Sequence, residues 1–269
     1  MPNESGETIE PPYLSVIVPA FNEANRITKT LAIISAYLSR QTFASEVVVV
    51  VDGPSDATLD RVRDAAREHQ NIRWIARDEN RGKGYSVREG MLESRGTVRL
   101  FTDADNSTDI AHFDAMRHLF DAGCDLVIAS RNPKDAAGAL QTVPQPVLKR
   151  ILGNFGNLFI QALAVPGIWD TQCGFKAFSA KTATEIFSRS LIDRWGFDIE
   201  ALALSRALEL KLGIVPAHWI DDPDTHVSPR TYLDVLAETV RIRWNLIRGV
   251  YDLPGADARN TLRTRRGDS

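Results

Sequence analysis

Residues 46–51 read EVVVVV. Five consecutive valines lose rotamer freedom in a helix but pack well on a pleated surface, so the run is a strand. Nothing polar alternates with them, and a strand apolar on both faces belongs to a parallel sheet covered by helices above and below. The flanks fit that layout. Upstream, LSVIV (14–18) is a second short β-branched run, and residues 25–40 follow with helical spacing at Ile27, Leu31, Ile34 and Leu38. Downstream, the pattern predicts helices over 57–69, 83–95 and 110–122, alternating with strands at 71–76, 98–102 and 125–130. Strands separated by helices of this length form βαβ units. The chain is therefore of the α/β class, with a mainly parallel sheet flanked by helices.

Past Ser130 the rhythm changes. RNPKDAAGALQTVPQP (131–146) is a loop rich in Pro and Gly. The helix after it carries an apolar stripe at Leu148, Ile151, Phe155, Phe159 and Ala162 or Leu163. Its other face holds Lys149, Arg150, Asn154, Asn157 and Gln161. CGFKAF (173–178) reads as a strand, 180–188 and 197–210 as helices, and GIVPAHW (213–219) as a last strand. A C-terminal amphipathic helix closes the fold, with Leu233, Leu236, Val240, Trp244, Ile247 and Tyr251 on one face and Arg241, Arg243 and Arg248 beside it. The expected division is a flexible tail over 1–12, a body over 13–221, a loop and amphipathic helix over 222–255, and a polar, partly basic tail over 256–269.

The whole chain excludes several classes. A formal net charge of −3 over 269 residues lacks the basic footprint of a nucleic-acid binder. Cys124 and Cys173 have neither disulfide-framework nor zinc spacing, which suits a reducing compartment. The opening MPNESGETIEPP is too polar for a signal peptide, and no stretch has the apolar length of a membrane span. The expectation is a cytoplasmic protein, soluble or bound at a membrane surface.

Chemistry concentrates in LFTDADNSTD (100–109). Thr108 or Asp109 has the place of a helix cap. Asp103 and Asp105 directly follow the strand, so a carboxylate can face a cleft and hold Mg²⁺ or Mn²⁺ together with substrate phosphates. Upstream, Arg81-Gly82-Lys83-Gly84 sits at a helix start, where backbone amides and the helix dipole attract anions. Neither G-x-G-x-x-G nor the P-loop pattern is present.

VIVPAFNEANRI, VVVVDGPSDAT, ENRGKGYSVREGM and LFTDADNSTD, in that order, resemble the inverting GT-A glycosyltransferases of family 2. VIASR, WDTQCGFKAFSAKTATEIF and RWGFDIEAL narrow the resemblance to the dolichyl- or polyprenyl-phosphate glucosyltransferases, over roughly residues 13 to 221. The resemblance implies a Rossmann-like GT-A fold, UDP-glucose as donor, a divalent cation (Mg²⁺ or Mn²⁺) and a lipid-linked phosphate as acceptor. It implies that Pro19, Ala20, Glu23, Asp52, Lys83, Asp103, Ala104, Trp195 and His226 line the donor site. Asp105 would hold the metal, with His226 beside it. Val51 and Pro54 depart from the family's usual Asp and Ser, which bears on uracil recognition.

A phosphate acceptor needs no general base, because a phosphate monoester is largely dianionic at pH 7. It needs cations, and Arg131, Lys149, Arg150 and Lys176 are the candidates. Asp170 and Asp198 are expected to shape the site without acting as bases, and Trp195 to wall it. Gln172 fits either a sugar contact or a turn. Cys173 reads as a small buried residue. The leading reading is glucose transfer from UDP-glucose to a polyprenyl phosphate, giving polyprenyl-phosphate β-glucose, at the inner face of the cytoplasmic membrane. The alternatives are a GDP-mannose enzyme, a transferase with a soluble phosphorylated acceptor, and a non-catalytic module that binds nucleotide sugar.

Overall fold

A computed structural model describes residues 10–141, 147–219 and 229–254. The chain starts with β1 (Leu14–Ala20), α1 (Ile27–Leu38), β2 (Ser45–Asp52), α2 (Thr58–Glu68), β3 (Ile72–Arg77), α3 (Lys83–Glu93) and β4 (Val98–Thr102). A 3₁₀ turn, Ile110–His112, then leads into α4 (Phe113–Asp121) and β5 (Leu126–Ser130). The second half adds β6 (Leu140–Gln141), α5 (Val147–Leu163), β7 (Phe175–Ser179), α6 (Ala180–Phe187), α7 (Phe197–Ala207), β8 (Leu212–Pro216), β9 (His218–Trp219) and α8 (Pro229–Arg248). Every helix and strand expected from the pattern is present, with the last strand broken into β8 and β9.

Seven strands form one sheet in the order β3-β2-β1-β4-β7-β5-β8. All neighbours run parallel except β7, which lies antiparallel between β4 and β5. The chain runs outward from β1 to β2 and β3, then crosses back to β4 on the other side of β1. Open α/β sheets bind ligands at such a switch point, beyond the carboxyl ends of the strands.

The valine run behaves as its composition requires. Val47, Val49 and Val51 pack into one core layer with Leu31, Leu100 and Phe113, while Val48 and Val50 pack into the opposite layer with Phe101, Phe178 and Phe197. Period-2 alternation thus feeds two cores from one strand.

The C-terminal helix turns its apolar stripe away from the core. Helix α8 docks through Val235, Thr239, Ile242 and Asn245, all buried. The stripe read from the sequence points outward: Leu233, Val240, Trp244 and Ile247 are each more than half exposed. Tyr251 leaves that stripe, lies beyond the helix end, and is buried with its hydroxyl donating to Glu200 at 2.8 Å. Helix α5 packs beside α8 and also presents Phe155, Leu158 and Phe159 to solvent.

Candidate active site

The carboxyl ends of β1, β2, β4 and β5, the start of β7 and the first turn of α3 meet at one edge of the sheet. Pro19 and Ala20 are buried within β1 and form the floor. Glu23 follows, half-buried and ion-paired with Arg26. Burial raises the Glu23 carboxyl above its ordinary value against the pull of Arg26, and Asp105 and Asp103 add to the rise. The three carboxylates thus act on one another across the cleft.

Asp103 and Asp105 leave β4 in a turn with Asn106 in the left-handed region, at φ 55°. Ala104 is buried between them, its carbonyl accepting from Thr30 Oγ1 at 2.6 Å, so the two carboxylates flank a fixed point. Asp105 Oδ1 accepts from Ser107 N–H at 2.9 Å. The Asp103 backbone N–H donates to Gly174 O at 3.2 Å. Its carboxylate lies against the Gly174 Cα, so a Cβ there would displace the Asp103 side chain. Asp109 caps the 3₁₀ turn, accepting from Ala111 N–H at 2.8 Å, and Thr108 bridges to Trp219.

Lys83 Nζ lies 2.6 Å from Asp103 Oδ1 and 5.7 Å from the ring centre of Trp195. Dehydration alone would lower its pKa, but Asp103, Asp198 and Asp105 outweigh it and hold the ammonium above its ordinary value. Lys83 is thus a charged group at the same edge as Asp103 and Asp105.

The backbone amides around Lys83 are already engaged, against expectation. Asp52 takes Arg81 N–H at 2.9 Å and Gly82 N–H at 2.8 Å. Gly84 N–H donates to Arg194 O at 3.2 Å, and Tyr85 N–H to Asp193 O at 3.0 Å. An anion at this turn meets the Lys83 side chain, with those four amides committed elsewhere. Asp52 is corrected with them: it is buried, receives Arg77 Nη2 at 2.8 Å, and shapes the turn instead of facing a ligand.

Arg131 follows β5 and is gripped by Asp170. Its Nε and Nη2 each donate to one carboxylate oxygen at 2.8 Å, and its N–H donates to Oδ2 at the same distance. Burial would raise the Asp170 carboxyl, but Arg131 outweighs burial and holds it below its ordinary value. The guanidinium sits 5.3 Å from the Trp219 ring centre. Asp135, which the sequence reading passed over, fixes the arrangement by accepting Asp170 N–H, Trp169 N–H and the Ser130 hydroxyl. Its only local signal was an acid in the loop just past a strand end.

Lys176 is the clearest correction. Its side chain is 0% exposed, and Nζ donates to Asp198 Oδ1 and Cys173 O, each at 2.6 Å. It is closed to an acceptor phosphate. Burial raises the Asp198 carboxyl above its ordinary value, against the pull of Lys176 and Lys83. Cys173 is buried, and dehydration pushes its thiol up to about 12, so it is no nucleophile. Trp195 is 41% exposed, with its ring beside Lys83. The Lys149 and Arg150 side chains and all of His226 lie outside the described residues.

Among the described residues, no group of three or more His, Cys, Asp or Glu side chains could hold a metal alone. Asp103 Oδ1 is buried with no hydrogen-bond partner beyond its ion contact with Lys83, and Asp105 stands two residues on. One or two carboxylates are what Mg²⁺ or Mn²⁺ takes from protein when substrate phosphates supply other oxygens. The donor set fits a hard cation that arrives with a diphosphate.

Known proteins share this architecture. The model of the family described as Glycosyl transferase family 2 matches residues 15–183. The dolichyl-phosphate beta-glucosyltransferase of Dictyostelium discoideum is 32% identical over 262 residues, 93% of this chain and 80% of that protein. The protein of the same name from Drosophila melanogaster is 35% identical over 229 residues, 80% of this chain and 69% of its own. Glucosyl-3-phosphoglycerate synthase from Mycobacterium tuberculosis, solved with uridine diphosphate, superposes with a TM-score of 0.64 at 16% identity, over 86% of this chain and 80% of that one. That likeness establishes the GT-A fold. The family match, the relatives and the fold agree: the chain belongs to glycosyl transferase family 2.

Proposed function

We propose that this protein moves glucose from UDP-glucose to a polyprenyl phosphate of the dolichyl type, with inversion, giving polyprenyl-phosphate β-glucose. The observation that carries the reading is the convergence of Asp103, Asp105, Lys83 and Arg131 at the carboxyl edge of the sheet. Relatives named dolichyl-phosphate beta-glucosyltransferase, from Dictyostelium discoideum to Homo sapiens, support the sugar and the acceptor.

An acceptor phosphate oxygen attacks glucose C1 from the face opposite UDP. The new O–C1 bond forms as the C1–O bond to the diphosphate breaks, and UDP leaves with that electron pair. The dianionic acceptor has no proton to lose, so the site needs no general base. Lys83 meets the negative charge that develops on the diphosphate, while Arg131, held in one orientation by Asp170, aims the acceptor. Asp105, with Asp103 beside it, would hold Mg²⁺ or Mn²⁺, whose positive charge stabilises the leaving diphosphate. The Mycobacterium tuberculosis neighbour was solved with Mn²⁺ and UDP-glucose, which supports both assignments.

The acceptor is a lipid, and no helix of the described residues is long and apolar enough to cross a membrane. The outward stripe of α8 and the exposed Phe155 and Phe159 of α5 form the face that rests on the bilayer, at the inner leaflet of the cytoplasmic membrane. Arg241, Arg243 and Arg248 beside the stripe suit anionic headgroups, at about 1 kcal/mol each.

The deciding experiment is transfer of radiolabelled sugar into an organic-extractable product that depends on polyprenyl phosphate. UDP-glucose and GDP-mannose are run in parallel, with and without Mg²⁺. Label from UDP-glucose alone supports the reading. Label from GDP-mannose alone moves the donor, and no lipid product from either sinks the acceptor.

A further inference from the structure

Helix α8 reaches the edge of the active site through one carboxylate. Glu238 Oε2 accepts the Gly196 N–H at 2.6 Å. The approach is close, since a Cβ on Gly196 would stand 2.9 Å from both Glu238 Cβ and Oε2. Immediately before Gly196, the turn supplies two carbonyls to the first turn of α3: Asp193 O receives Tyr85 N–H and Arg194 O receives Gly84 N–H. The same turn places the Trp195 ring 5.7 Å from Lys83 Nζ, and Lys83 lies 2.6 Å from Asp103. Direct contacts therefore run from α8 to the D-A-D motif.

We propose that Glu238 is a positioning residue: by holding the Asp193–Gly196 turn it sets Lys83 against Asp103, and so couples the seating of α8 to donor binding. The coupling to donor rests on the proposed function, in which Lys83 and Asp103 serve the donor. The groups facing Glu238 explain what its carboxyl supplies. Burial holds it above its ordinary value, Asp234 adds to the rise, and the Gly196 N–H, Arg194 and Arg241 oppose it. The contact with Gly196 uses an acceptor oxygen, which an amide also has.

The test compares full-length Glu238→Gln and Glu238→Ala with the unaltered protein. Hydrogen exchange is followed at Gly84, Tyr85 and Gly196, and KM and kcat are measured with UDP-glucose. Losing one part-buried hydrogen bond is worth about 1.4 kcal/mol, so Glu238→Ala should speed exchange at Gly84 and Tyr85 about tenfold. The same loss should raise the donor KM about tenfold while changing kcat about twofold or less. Glu238→Gln should restore both. Equal behaviour of the two variants, unchanged exchange at Gly84 and Tyr85, or lost protection throughout β1 and β2 would overturn the proposal. If the unaltered protein turns over no UDP-glucose, the proposed function fails, and exchange alone decides whether Glu238 sets the turn.

Discussion

Lys176 Nζ and Asp198 Oδ1 lie 2.6 Å apart, and neither side chain is open to solvent. The pair joins β7 to the first turn of α7, and Asp198 adds to the negative field around Lys83. Removing one partner leaves the other charge buried and uncompensated, at about 3–5 kcal/mol. Lys176→Met should therefore lower the melting temperature by about 6–20 °C. Lys176→Met with Asp198→Asn should recover much of that loss but lower transfer, because Lys83 then lacks the Asp198 charge beside it. Thermal melts and label transfer on the three proteins check this. A Lys176→Met protein that melts normally and only loses acceptor affinity would return Lys176 to the phosphate.

Asp105 has the opposite character. It is half-buried, and its one described hydrogen bond is from the neighbouring Ser107 N–H. Asp105→Ala should leave the melt almost unchanged yet cut transfer by a factor on the order of 100 or more, the scale of losing a group that stabilises developing charge. Residual activity in this variant should lose its response to Mg²⁺ or Mn²⁺ concentration. Full activity with an unaltered metal response would sink the metal assignment.

Acid should act through Glu46, far from the site. Burial alone would raise this carboxyl, but Arg73, the Ser15 hydroxyl and Arg95 N–H outweigh it and bring it from an ordinary 4.5 to about 2. Its folded pKa is below its unfolded one, so its contribution is complete above about pH 4.5 and disappears as pH falls toward 2. The contribution is at most about 3 kcal/mol. Glu46→Gln should lower stability at pH 7 and flatten its decline between pH 5 and 2, as urea midpoints across that range will register. A parallel decline in both proteins would clear Glu46 of the effect.

What could be read from the sequence was whatever one strand or one turn encodes by itself. EVVVVV specified a doubly covered strand, and D-A-D after VRLFT specified the carboxylates at a strand end. Lys176 was counted among the acceptor cations for its charge alone, while β7 lies between β4 and β5 with both faces covered. There Lys176 shares its side with Phe178, in register with Phe101 and Ile128. Asp135 and Glu238 escaped, and Asp52 was given a ligand in place of its backbone partners, for a related reason. Their partners lie 29, 35 and 42 positions away, at Arg81, Asp170 and Gly196, and only the folded topology brings them together. The C-terminal stripe had the right period but was assigned no direction, since periodicity marks an apolar face without saying what covers it.

That stripe gives the last prediction. Trp244 and Ile247 are 54% and 52% exposed on α8, and the Arg248 guanidinium lies 4.4 Å from the Trp244 ring centre. An aromatic ring under a guanidinium suits the headgroup region, where the ring meets acyl chains and the cation meets phosphate. Neither side chain holds the helix to the core, which Val235 and Ile242 do, so Trp244→Glu with Ile247→Glu should leave the melt intact. Burying either side chain is worth about 1.5–3 kcal/mol, so the double change should weaken binding to vesicles rich in anionic lipid by at least about a hundredfold in co-sedimentation. Transfer to a long polyprenyl phosphate in vesicles should fall in step, while transfer to a short, detergent-dispersed analogue should persist. If vesicle binding survives the double change, the protein meets the membrane by another face. If both acceptors fail together, the stripe serves the active site itself.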